Sequence, residues 1–215
     1  MNKINVLIVV LFMSLISCNS QNDYDLETVI GKNANEVVEG NSYFYMEREV
    51  VTHQPAYQIW GDTDKYKFGK INLESDAVVA DTDEFNNERF ITIEDCNSIQ
   101  LILNSDEEKK IVGLFIDVDY NEAQAKKMLE YLIHKYNEPE VIKPEPTEKI
   151  KDIIHGNSTY YWLDEQNNCS IYYYRSYSGL NKKQAIGYSV EIIQNDAILS
   201  ENPDWKIIDW YKTRF

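Results

Sequence analysis

The chain predicts an α+β fold, an antiparallel sheet of short strands combined with one long amphipathic helix. Three observations lead there. Runs rich in Val, Ile, Tyr, Phe and Thr recur along the chain, separated by clusters of Asn, Asp, Ser or Gly, the pattern of strands and turns. One stretch, from about Tyr120 to Tyr136, carries its apolar residues at helical spacing instead. Two strand-loop-strand segments repeat with nearly the same spacing.

The helix is the best-marked element. Ala125, Met128, Leu129, Leu132, Ile133 and Tyr136 fall on one stripe, the spacing that buries one side of a helix. Asp119 stands three positions before Glu122, a variant of the capping box in which each side chain satisfies a free backbone donor. Pro139 then ends it. The strand runs are Tyr43–Val51, Ala56–Trp60, Asp76–Ala80, Arg89–Glu94, Ser98–Leu103, Ile111–Val118, Thr159–Leu163, Ser170–Arg175 and Ala185–Ile193. Ile99, Leu101 and Leu103 share one strand face. Asn137 to Asn157, with Pro139, Pro144 and Pro146 among charges, predicts a loop or hinge. Asn202 and Pro203 predict a cap and first-turn proline for a terminal helix carrying Trp205, Ile208 and Tyr211.

The repeated segments run from Cys96 to Gly113 and from Cys169 to Gly187, 17 and 18 positions apart. A fainter echo sets Leu26–Lys32 against Leu129–Lys135. Two pseudo-repeat halves, 26–119 and 120–215, compete here with chance likeness between hairpins. The halves would each hold a helix and an antiparallel sheet. That order, with Gly31 followed by Glu36-Val37, resembles small helix-then-strands lipoprotein modules of bacterial envelopes. These include outer-membrane assembly factors and the secreted β-lactamase inhibitor proteins. The resemblance brings no catalytic residue with it.

The first residues concern an address. Lys3 precedes an apolar run from Val6 to Ile16 broken only by Ser14, the layout of a secretory signal. The run is about half of the ~20 apolar residues needed to span a bilayer. Leu15-Ile16-Ser17-Cys18 resembles the lipobox of bacterial lipoproteins, against the alternative of a plain signal peptide with a chance cysteine. The resemblance implies that residues 1–17 are removed, that Cys18 carries diacylglycerol, and that the new amine is acylated. At ~0.8 kcal/mol per buried CH₂, two or three chains anchor durably. Residues 18–25 would then be a lipidated tether and 26–215 the globular domain. The implied location is the bacterial cell envelope, with the outer membrane as the anchoring site, facing the periplasm or the exterior. Asp23, Asp25 and Glu27 loosely match the surface-export signal of Bacteroidota lipoproteins.

With 36 acidic against 21 basic residues the formal charge is −15. Such a surface repels phosphates, so nucleic-acid binding is excluded as an expectation. It attracts basic proteins or cations, or serves solubility alone. No cofactor is expected: G-x-S-x-G, P-loop and C-x-x-C signatures are missing. His53, His134 and His155 stand isolated. Asp117-Val118-Asp119-Tyr120-Asn121 begins like a calcium loop but has Glu122 and Met128 at its sixth and twelfth places, and Asp81–Asn86 departs at the same two, so no metal site is expected. Cys96 and Cys169 are either a disulfide or two buried thiols.

The aromatic runs Tyr160-Tyr161-Trp162 and Tyr172-Tyr173-Tyr174 predict an aromatic binding face of Tyr160, Trp162, Tyr172 and Tyr174, suited to a protein or a glycan. Cross-strand ring pairs are the structural alternative. The expected function is a lipid-anchored, non-enzymatic binding protein, in narrower form an immunity or inhibitor lipoprotein against a basic toxin or hydrolase. Its rivals are a structural assembly lipoprotein and an envelope hydrolase using carboxylates such as Asp81, Glu94, Asp117 or Asp164.

Overall fold

Strands with alternating apolar residues need a second layer to cover their apolar face. In the computed structural model, described for residues 24–38, 45–48, 55–60, 66–73, 98–105, 107–118, 121–147, 149–150, 152–180, 183–199 and 202–213, helices supply it. Along the chain come β1 (Tyr24–Asp25), a 3₁₀ turn (Leu26–Thr28), α1 (Ala34–Val38), β2 (Tyr45–Arg48) and β3 (Pro55–Trp60). Then follow β4 (Tyr66–Phe68), β5 (Ile71–Asn72), β6 (Ser98–Leu103), β7 (Ile111–Val118) and α2 (Glu122–Tyr136). The remainder is β8 (Glu140–Lys143), β9 (Lys149–Ile150), β10 (Ile153–Ile154), β11 (Gly156–Asp164), β12 (Cys169–Leu180), β13 (Lys183–Gln194), β14 (Ile198–Leu199), β15 (Asn202–Lys206) and α3 (Ile207–Lys212). The fold is α+β, as expected.

Eight strands form one antiparallel sheet in the order β2-β3-β6-β7-β13-β12-β11-β8. The chain thus lays down four strands after α1 and four after α2, and the last strand of each run meets the other at the centre. There Ile116 faces Val190, with Leu114 against Ile192 and Val118 against Tyr188. Moving 74 positions along the sequence takes Gly113 to Gly187, and their hairpin partners Ile102 and Ser176 are 74 apart as well. The same step takes Ile116 to Val190 and Leu114 to Tyr188. Corresponding residues therefore face each other across an approximate two-fold axis through the Ile116 and Val190 pair.

One face carries the main core. Ile99, Leu101, Leu114, Ile116, Val118, Ile171, Tyr173, Tyr188, Val190 and Ile192 lie on it, under Ala125, Met128 and Leu132 of α2 and Leu26, Val29, Ala34 and Val37 of the N-terminal segment. The Tyr188 hydroxyl donates to buried Gln124 Oε1, and Gln124 Nε2 donates to the Asn72 carbonyl, so the small sheet β1-β4-β5 is tied to the helix. Gly69 turns there with φ +57° and a Cβ would collide with the Tyr131 hydroxyl, so only glycine fits. On the second face a smaller cluster of Ile102, Val112, Tyr172, Ile193 and Ala197 is covered by Ile207 and Ile208 of α3.

Three expectations are corrected. The α2 cap is Asn121, whose Oδ1 accepts from the Gln124 N–H at 2.9 Å; it stands at the geometry that satisfies a free helix donor, whereas Asp119 and Tyr120 lie outside the described residues. The terminal helix starts at Ile207, not at Pro203. Asp209 Oδ2 accepts from the Lys206 N–H at 3.3 Å, the returning half of a capping box, and Asn202–Lys206 pairs with β14 as a strand. The stretch from 137 to 157 is not all loop: it holds β8, β9 and β10. β8 is an edge strand with a bulge, followed by Pro144, which suits the rim of a sheet. The expected strands Asp76–Ala80 and Arg89–Glu94 lie outside the described residues.

Asn121→Ala should lower unfolding stability by about 1 kcal/mol, with Asn121→Asp restoring most of it. Urea denaturation followed by circular dichroism reads this as a midpoint shift without change of slope.

Candidate functional site

Strand register decides which rings share a face. β11 and β12 are joined by a turn in which Asp164 Oδ1 accepts from the Gln166 and Asn167 N–H groups, while Oδ2 accepts from Asn167 Nδ2. That turn sets Tyr160 against Tyr173, Tyr161 against Tyr172 and Trp162 against Ile171. The expected set of four is therefore split. Tyr160 and Trp162 lie on the helix face, where Trp162 is buried and its indole N–H donates to the Asn137 carbonyl at 2.8 Å. Tyr172 and Tyr174 lie on the second face with Tyr161, whose ring sits 5.1 Å from that of Tyr172. Sequence alternation identifies which residues of one strand agree, but not the register between strands.

The second face has an acidic centre that the aromatic pattern alone did not mark. Ser189 stands opposite Asp117 and Phe115 opposite Glu191, so the two carboxylates are diagonal neighbours, a spacing of about 7–8 Å between their backbones. They correspond by the same 74-position step. Asp117 is exposed and accepts from the Ser189 hydroxyl. Glu191 is 8% exposed beside Tyr172. Phe115, Tyr161 and Tyr174 are half-buried around them. Burial pushes the Tyr172 phenol well above its usual range, aided by Tyr161 and Glu191.

A cleft of about 370 Å³ opens at one end of the helix face. Asp164, Cys169 and Gln194 form one row across β11, β12 and β13, and Lys110 enters β7 beside them. The opposite wall is Glu27 to Gly31 with Lys135 and Tyr136 of α2. Glu27 pairs with Lys135 and accepts from the Tyr131 hydroxyl at 2.8 Å. Burial and that hydrogen bond raise the Tyr131 phenol far above normal. For Lys135, burial works downward, but hydrogen bonds to Glu27 and Tyr136 lead to a net rise.

Of the three cysteines singled out, Cys18 and Cys96 lie outside the described residues, as do the signal segment and His53. Cys169 is a free, buried thiol whose Sγ donates to the Asn167 carbonyl at 3.3 Å. Desolvation, then the carboxylates of Asp164 and Asp196, push it from 9.0 to about 11. Of the carboxylates considered for hydrolysis, Asp117 and Asp164 are on opposite faces, while Asp81 and Glu94 lie outside the described residues. Among the described residues no helix is long and apolar enough to cross a membrane, and no group of three or more His, Cys, Asp or Glu is placed to hold a metal ion.

Compared with protein-family models, with curated proteins and with solved structures, the chain has no match in any of the three.

The raised Cys169 value has a definite sign. A thiol whose folded value lies above its unfolded one stabilises the fold below about 9, and that contribution is lost as pH rises through about 11. Native protein at pH 8 should therefore leave Cys169 unmodified by iodoacetamide, with labelling on unfolding. Peptide mass spectrometry locates the label, and rapid native modification at pH 8 would contradict the assigned burial.

Proposed function

We propose that the chain is a lipid-anchored binding protein of the bacterial envelope which holds a basic protein partner against the second face of its sheet. The observation that carries this is exposed Asp117 with Glu191 as its diagonal neighbour, flanked by the half-buried rings of Phe115, Tyr161 and Tyr174. Carboxylates accept from ammonium or guanidinium groups, and adjoining ring faces attract the same cations. The formal charge of −15 adds long-range attraction for a basic surface. In the narrower form of this function the partner is a basic toxin or hydrolase that the chain neutralises.

The lipobox-like Leu15-Ile16-Ser17-Cys18 supports the reading from another direction. Acyl chains supply the membrane affinity, so the acidic domain has no need of a basic or apolar membrane patch. The sheet face is then left for an aqueous partner at the outer membrane.

Two measurements test these parts separately. Cys18→Ser should move the chain from the membrane fraction to the soluble fraction, and intact mass should lose the acyl increments; a variant still membrane-bound would remove the anchor. For the face, immobilised full-length chain should retain a basic envelope protein at low salt and release it as salt rises. Asp117→Lys should weaken retention at least tenfold, about 1.4 kcal/mol, at an unchanged melting temperature. Equal retention by that variant, or retention insensitive to salt, would refute the assignment.

A further inference from the structure

The cleft on the helix face is independent of the proposed partner face, since the sheet separates them. Its charges balance. Glu27 and Asp164 supply two carboxylates, Lys135 and Lys110 two ammonium groups. Glu27 and Lys135 are already engaged with each other. Asp164 is held in its turn with one lone pair remaining on Oδ2, and Lys110 has no ion-pair partner among the described residues. On the sheet beneath, Gln194 Oε1 is buried and receives no hydrogen bond. A buried acceptor in that state costs free energy that a bound donor would recover. Ile171 and Ile192, both buried, with partly buried Ile30, give the cleft an apolar wall.

We propose that this cleft binds a small zwitterion of the α-amino-acid class with an apolar side chain. Its carboxylate pairs with Lys110, its ammonium group donates to Asp164 and, with the Gln194 side chain turned into the cleft, to Gln194 Oε1, and its side chain packs on Ile171 and Ile192. Strand order brings these groups together: Asp164 faces Cys169, Cys169 faces Gln194, and β7, which Lys110 enters, is the next strand beyond β13. A neutral molecule bearing both charges suits a neutral cleft, because neither end is buried without a partner. A volume of about 370 Å³ lies at the small-molecule end of ligand sites.

Isothermal titration of the full chain with L-alanine, L-valine and L-leucine tests this. Saturable binding of at least one is expected, with its N-acetyl and carboxamide derivatives each at least tenfold weaker, since each lacks one charge. Lys110→Met should weaken binding at least tenfold while circular dichroism and melting temperature stay as in wild type. Gln194→Leu removes the unpaired acceptor, so the ligand-free variant should melt no lower than wild type yet bind at least fivefold more weakly. No saturable binding of any of the three up to about 10 mM, derivatives as tight as the parent, or full affinity in Lys110→Met would overturn the proposal.

Discussion

The antiparallel pairing of β7 with β13 is the constraint on which the rest of the structure depends. It joins the last strands of two four-strand runs, with Ile116 against Val190 at the centre. An approximate two-fold axis there runs perpendicular to the sheet. Such an axis keeps each face on its own side, so α1 with the 3₁₀ turn and α2 both fall on the face of Leu114, Val118, Tyr188 and Ile192. Each large apolar side chain buried between those layers contributes about 1.5–3 kcal/mol. A slip of one residue in this pairing would turn every such side chain to the other face, which makes the register strongly specified.

The second face follows from the same pairing. The residues alternating with the core positions, namely Phe115, Asp117, Ser189 and Glu191, must appear there together. Their covering is uneven because the C-terminal segment reaches one end only. Ile207 and Ile208 bury Ile102, Val112 and Ile193. Gly113 allows that close packing: a Cβ on it would lie 3.1 Å from Ile102 Cβ and 3.3 Å from Ile193 Cδ1. The centre retains its carboxylates and half-buried rings.

What could be read from the sequence divides along the same line. Ser98–Leu103 and Ile111–Val118 are strands as expected, since alternating apolar residues report a local period of two. The α2 stripe reports a local period of 3.6 equally well. Edge strand β8 was not legible because its four residues are exposed and carry no apolar alternation. The ends of β12 and β13 ran past their expected limits, because hairpin pairing from Tyr177 to Leu180 rather than composition extends them. The aromatic set failed for a related reason. Tyr160 and Trp162 agree with each other, as do Tyr172 and Tyr174, but the turn after Asp164 fixes which pair joins which face.

The cleft was beyond sequence reasoning altogether. Glu27 and Tyr131 meet across 104 positions, and nothing in the residues around either one signals the other. Net charge was also a poor guide to it. A balance of −15 describes the whole chain, yet the cleft carries equal numbers of both signs. The attraction of an acidic protein for basic partners therefore belongs to the face where Asp117 and Glu191 gather. It does not extend to the cleft, where two carboxylates and two ammonium groups cancel in number. The two surfaces differ in the chemistry they can recognise because the central pairing sends alternate residues to opposite sides of one sheet. A single register thus separates a charged aromatic surface from a neutral polar one.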